Sequence, residues 1–197
     1  LSRAHIDIGD LIPESYPDWK ERRMREYRQA ESCARQAIKA DPDSTWGYFY
    51  VAASLGTMAG LLPVAKQIEM AEEIRTATEK AIALDSQNGF AYHIYGVWHR
   101  RMAEIGATQR VVASLWYGRP LPKGDLDKSV EFLKKATSLN PNVIVSRLEL
   151  ARSHAAREEW AAARAQLTIV AELPVKYSDD GQHKQKALEL FEEIKNR

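Results

Sequence analysis

The stretch Asp125–Ala151, DLDKSVEFLKKATSLNPNVIVSRLELA, holds an amphipathic helix, a turn and the start of a second helix. Ser129, Leu133, Ala136 and Leu139 recur three or four apart, which sets them on one helical face; Lys128, Glu131, Lys134 and Lys135 take the other. Pro141 lacks the N–H that a helix interior needs, so it ends this helix. Leu148 and Ala151 then continue an apolar stripe on the next one. The phrase recurs along the chain. Ala37-Ile38-Lys39-Ala40-Asp41-Pro42 and Ala81-Ile82-Ala83-Leu84-Asp85-Ser86 align with Ala136-Thr137-Ser138-Leu139-Asn140-Pro141, and Val170-Ala171-Glu172-Leu173-Pro174 is a worn fourth copy. A repeated helix end, turn and helix start predicts an all-α array of helix pairs.

Upstream, Leu1, Ala4, Ile8 and Leu11 keep helical spacing and read as the tail of a helix, broken by Gly9 and Pro13. Tyr16-Pro17 is expected to open a long helix reaching about Ala40, with proline in its first turn. The charged run Glu21-Arg22-Arg23-Met24-Arg25-Glu26-Tyr27-Arg28 interleaves both signs, which fits a solvated face better than a basic patch. Further helices are expected over 46–56 (inner face Tyr48, Val51, Ala52, Leu55), 63–84 (Ile68, Ala71, Ile74, Ala77, Ala81, Leu84), 90–105 and 107–117, then a glycine- and proline-rich loop over 118–124. A helix over 158–173 carries Trp160, Ala163, Leu167 and Val170 inward. The last helix, ending near Asn196 with Ala187, Leu188, Phe191 and Ile194 on one face, reads as a cap.

Composition agrees with a chain that buries a core: 197 residues, 45% hydrophobic and 28% charged. A formal net charge of +1 gives no global attraction to nucleic acid. Cys33 is the single cysteine, so no internal disulfide forms; between Ala30 and Ala34 it fits a small core residue better than a nucleophile. No run reaches the ~18 apolar residues of a membrane-spanning helix. The chain opens on Leu1 rather than Met, and a targeting peptide or anchor is expected upstream. The expectation is a soluble domain of unassigned compartment: cytoplasmic, or periplasmic and exported if such a segment precedes it.

The helix pairs take the register of the 34-residue tetratricopeptide pattern. Its bulky first position falls on Tyr48, Tyr92 and Arg147, its Leu-Gly pair on Val51-Ala52, Tyr95-Gly96 and Leu150-Ala151, and its small residue on Ala30, Ile74, Ser129 and Ala163. The closing positions Pro42, Ser86 and Pro141 stand 44 and then 55 residues apart, so insertions of roughly ten and twenty residues interrupt the repeat. One domain over 1–197 is expected: a right-handed superhelix with repeats at roughly 1–42, 45–86, 89–141 and 144–175 and a cap at 179–197.

The insertions single out a subfamily. A long second helix ending Glu79-Lys80-Ala81-Ile82-Ala83-Leu84 is followed by Tyr95-Gly96-Val97-Trp98, Met102-Ala103-Glu104 and Val112-Ala113-Ser114-Leu115-Trp116-Tyr117-Gly118-Arg119-Pro120-Leu121-Pro122. Over essentially the whole chain this resembles the regulator of microtubule dynamics family, which has the same extra helix and proline loop at this place. Two departures are Leu121, which splits the paired prolines, and the missing tryptophan after Ile105. The resemblance implies an association with microtubules, as in animal members, and the membrane tethering and groove-bound phospholipid of one of them.

In tetratricopeptide geometry the first helix of each pair lines a concave groove. The positions facing it here are Trp46, Phe49 and Ala53; Phe90, His93, Val97, Arg100 and Arg101; and Leu148, Arg152 and Ala155. An aromatic floor with three arginines suits an extended peptide with a carboxylate, or an anionic lipid headgroup, because guanidinium grips oxyanions in pairs. In the alternative reading the rings pack between repeats and the arginines are merely solvated. The inserted helix and its loop (Trp116, Tyr117, Arg119 and Pro120, with Arg110 nearby) are expected either to close over the groove as a lid or to fill a gap in the superhelix.

No catalytic constellation, metal site or cofactor motif is expected. His93 and His99 lie roughly 240° apart round a helix, His154 and His183 have no cysteine at ligand spacing, and Glu72-Glu73 and Glu158-Glu159 diverge as neighbours do. The function expected is a non-catalytic scaffold that holds a partner peptide or protein in its groove. The alternatives are a phospholipid or fatty-acid carrier or tether, favoured by a closed apolar tunnel, and a self-assembly module.

Overall fold

The computed structural model describes residues 1–118 and 120–197, with the side chains of Trp116 and Tyr117 left aside. Among the described residues the secondary structure is entirely helical: α1 (Ser2–Leu11), α2 (Trp19–Ala40), α3 (Thr45–Gly60), α4 (Val64–Leu84), α5 (Gly89–Glu104), α6 (Ala107–Tyr117), α7 (Leu126–Leu139), α8 (Ile144–Ala156), α9 (Trp160–Glu172) and α10 (Asp180–Ile194). Hairpin pairs α1–α2, α3–α4, α5–α7 and α8–α9 stack in order, and α10 closes the end against α8 and α9. The first helices, α1, α3, α5, α8 and α10, neighbour one another and form the inner layer. This is the tetratricopeptide architecture.

Local chemistry places the boundaries. Ser44, Asn88 and Asp125 each accept a backbone N–H of the helix they open, at 3.3, 3.1 and 2.8 Å. Thr45 also donates its hydroxyl to the Ala81 carbonyl at 3.0 Å and so ties the start of α3 to the end of α4. Gly118 ends α6 with φ +63°, a conformation that glycine adopts without strain.

The repeat positions predicted to be small are the ones where helices touch. Ala30, Ser129 and Ala163 are fully buried. A Cβ on Gly96 would stand 2.5 Å from the Leu133 side chain, so α5 and α7 approach at van der Waals distance only because that residue is glycine. Ser129 donates to the Gly96 carbonyl at 2.7 Å in the same contact. One apolar cluster spans α2–α5, around Val51, Leu55, Ile74 and Trp98; a second spans α8–α10, around Leu148, Leu167 and Ile194. Val130, Leu133 and Leu150 join α7 to α8 between them.

The stripe Leu1, Ala4, Ile8 and Leu11 faces out, and α1 buries Ser2 and Gly9, because Gly9 is where the Tyr27 ring packs. Three expectations are corrected. The long helix begins at Trp19, with Pro17 ahead of it. Gly56 does not end α3, which runs four residues further to Gly60. In α10, Leu188 is exposed and Leu190 takes its place beside Phe191.

Candidate functional site

The inner helices do not touch along their full length. On the side of α3 that faces α5, the residues are Ala52, Ala53, Gly56 and Gly60, and a Cβ built on either glycine meets no atom within 4 Å. The missing side chains open a cleft of about 450 Å³ between α3 and α5, which reaches down to Ala71 and Ile74 of α4. Its far wall is Val97, Trp98 and Met102 of α5. Trp98 is held there by its indole N–H, which donates to the Ala71 carbonyl at 2.8 Å.

At the start of α3 and α5 the cleft opens into a second cavity of about 560 Å³, sharing Asp10, Phe49, Ala53 and Phe90 with the first. Trp46, Phe49, Tyr50 and Phe90 form one ring cluster along it, with centroids 4.8–6.3 Å apart. Trp46 remains 46% exposed. The other side is built from α1 and from the connection between α9 and α10. Arg3 stands over the Tyr177 ring at 5.4 Å, so the first helix meets the last turn across the groove.

The arginines do not form one anionic grip. Arg100 is buried, and its guanidinium is taken by Glu104, at 3.0 and 3.1 Å, and by Glu149 of α8. Arg152 pairs with the other oxygen of the same Glu149. Burial alone would push the Glu149 carboxyl up, but Arg100 and Arg152 outweigh it and hold the group at about 2. The reverse balance keeps Arg100 charged, since Glu149 and Glu104 overcome its desolvation. A ligand gains little from charges already neutralised. Arg101, exposed on the cleft wall, forms no ion pair among the described residues.

Other predicted groove residues are dispersed. Phe49, Phe90, His93 and Val97 line the first cavity, and Trp46, Phe49 and Phe90 the second. Leu148 is fully buried in the α8–α10 core. His93 faces Ser146 of α8 at 3.1 Å, and burial lowers its pKa to about 4, so it is a neutral ring at pH 7.

The inserted helix sits elsewhere. Ala113 of α6 and Leu121 of the loop pack on Ile68 of α4, and no described residue of 106–124 lines either cavity. Pro120 is exposed. The side chains of Trp116 and Tyr117, and Arg119 as a whole, lie outside the described residues.

Sequence reading missed Asp10 and Tyr27. Asp10 lines both cavities and accepts a hydrogen bond from the Tyr27 hydroxyl at 2.6 Å. Its pKa is raised by burial, with Asp179 acting in the same direction and the Tyr27 hydroxyl partly offsetting them. The outward turn of Leu1, Ala4, Ile8 and Leu11 is the fact that would have exposed it: once that face is solvent, Arg3, Ile6, Asp7 and Asp10 face the groove.

Known proteins place this architecture. The crystal structure of a thermophilic TPR protein from Thermus thermophilus superposes with a TM-score of 0.55 at 13% identity, covering 95% of this chain and 99% of that one; this likeness bears on the fold alone. Regulator of microtubule dynamics protein 1 of Caenorhabditis elegans is 25% identical over 162 residues, which are 82% of this chain and 71% of that protein. The Homo sapiens protein of the same name is 25% identical over 150 residues. They make up 76% of this chain, which spans about half, 46%, of that protein's length. The profile of the family described as Regulator of microtubule dynamics protein 1-3 matches residues 1–195, and the chain belongs to that family.

Proposed function

We propose that the chain is a non-catalytic scaffold, a single unit of stacked helix pairs whose groove holds an extended segment of a partner protein. The observation that carries this reading is the empty space over Gly56 and Gly60. Two helices that only had to pack would close such a gap, because a void forfeits contact energy on every wall. Here it stays open and continuous with an aromatic wall, and the walls are rigid helices, so a bulky apolar side chain enters at little cost in ordering. Arg101 stands at the rim of the deep cleft as the one wall arginine free to meet a backbone carbonyl or carboxylate. A second reading, an acyl chain in the same cleft, draws on its apolar lining. The gap-filling role suits the insertion, whose described residues pack beside α4.

Gly56→Leu tests the reading. The substitution is compatible with the helix and fills open space, so the fold is expected to persist with an unchanged or raised Tm. Binding of wild-type protein to a peptide array should be lost in the variant for the apolar-rich sequences. Equal binding by both proteins overturns the groove reading. A fatty acid or phospholipid seen by native mass spectrometry on the wild type but not on the variant transfers the cleft to the lipid reading. The names of the relatives make microtubules the first macromolecular partner to try by co-sedimentation, and only a loss on Gly56→Leu would assign that contact to the groove.

A further inference from the structure

The groove's free charge is negative at the end away from Arg100, Arg101 and Arg152, where α3 and α5 begin. In the second cavity, Asp7, Asp10 and Asp179 stand against a single guanidinium, Arg3, which is spent on Asp7 at 3.5 Å and on the face of Tyr177. Asp179 is paired with His183 at 2.9 Å. Arg23, the other arginine near Asp10, is committed to the Ile12 carbonyl at 2.7 Å and to Glu14. Asp180 is fully buried and accepts the backbone N–H groups of Lys176 and Tyr177, both at 2.8 Å.

Asp10 is what remains. It lies where the two cavities join, and its one described hydrogen bond, from Tyr27, leaves it without an ion-pair partner among the described residues. A carboxylate so placed favours a cation over an anion. The wall opposite consists of Trp46, Phe49, Tyr50 and Phe90, whose ring faces attract the same sign of charge.

Resting on the groove reading above, we infer that the partner segment carries a lysine or arginine two positions from a bulky apolar residue. The basic side chain enters the aromatic cavity to meet Asp10, and the apolar one descends into the cleft beside Gly56. The continuity of the two cavities sets this order: successive side chains of an extended chain point to opposite sides, so residues i and i+2 reach both. An acidic peptide or an anionic headgroup would bring a second negative charge to Asp10 and Asp179, and is disfavoured at this end.

The test uses fluorescence anisotropy with three acetylated, unstructured peptides that differ at one position, two residues from a Phe: Lys, norleucine or Glu. The Lys peptide is expected to bind wild-type protein most tightly and to weaken with added salt. Asp10→Asn keeps the acceptor for Tyr27, so the fold holds, and it should cost the Lys peptide about tenfold in affinity while leaving the norleucine peptide unchanged. If the Lys and Glu peptides bind alike, or Asp10→Asn leaves Lys-peptide affinity unchanged, the inference is overturned. Should that happen while Gly56→Leu still abolishes binding of all three, the groove reading survives and only the charge preference falls. Absence of binding by every peptide sinks both.

Discussion

His99 is 5% exposed, enclosed by the rings of Tyr95, Trp98 and Phe132, and neither of its nitrogens has a hydrogen-bond partner among the described residues. Burial lowers its pKa to about 4; Lys128 adds to the effect, and Asp125 and Glu79 oppose it. The unfolded chain titrates near 6.5, so between pH 6.5 and 4 the unfolded state holds the extra proton and native stability falls as pH falls. Above that window the contribution is complete. A displacement of this size corresponds to about 3 kcal/mol over the window. His93 is displaced in the same direction, so both act together. His99→Phe keeps a ring against Phe132 and removes the proton site. Urea unfolding of this variant should match wild type at pH 7 and lose only about half as much stability by pH 4. An identical acid loss in the two proteins would show that His99 does not titrate in this way.

Among the described contacts of α6, the hydrogen bonds that fasten it to its neighbours come from one side chain, Arg110, beside the packing of Ala113 on Ile68. Arg110 donates to the carbonyls of Ile105 at 3.2 Å, Pro122 at 3.1 Å and Met102, which ties the helix to the end of α5 and to the following loop. Val111, Val112 and Leu115 point outward, and among the described side chains of this helix only Ala113 is buried. Arg110→Ala should therefore raise amide exchange across 107–117 by at least about tenfold while Tm falls by only a few degrees; a uniform rise over the whole chain would contradict a local fastening. Which elements exist was legible in the chain, because three-and-four spacing and proline stops are local: α4, α5 and α6 begin and end within a residue of expectation. What lies opposite each face was not. Glu149 sits three residues before Arg152, a pairing visible in sequence, yet it also reaches Arg100 from 49 residues away, and that second contact removes the arginine from the groove. Likewise, Gly56 reads as a helix breaker by propensity alone; only packing reveals that it lines an open cleft. Asp10 was hidden by the outward stripe of α1, which looks like a core stripe when nothing shows which side the next helix takes.

At the scale of the whole molecule, two apolar clusters, α2–α5 and α8–α10, are bridged through α7, and the ends meet where Arg3 covers Tyr177. Stacked repeats owe their stability to nearest-neighbour interfaces, so damage at one end should stay there unless the closing contact couples the two. An exposed cation–π contact contributes only about 0.5–1 kcal/mol, too little to bind two clusters into one cooperative unit. Ile194 is 2% exposed in α10 and belongs to the C-terminal cluster. Its carbonyl also accepts a hydrogen bond from Arg164 of α9 at 3.1 Å. Ile194→Ala leaves that backbone contact in place and removes only packing, at a cost of about 2–4 kcal/mol. Native-state hydrogen exchange should then quicken in α8, α9 and α10 and stay at wild-type rates in α2, α3 and α4, which keeps the α3–α5 cleft intact in the variant. Equal acceleration in α2–α4 would mean that closure across the groove makes the stack a single cooperative body, and that a ligand in the cleft is felt at the cap.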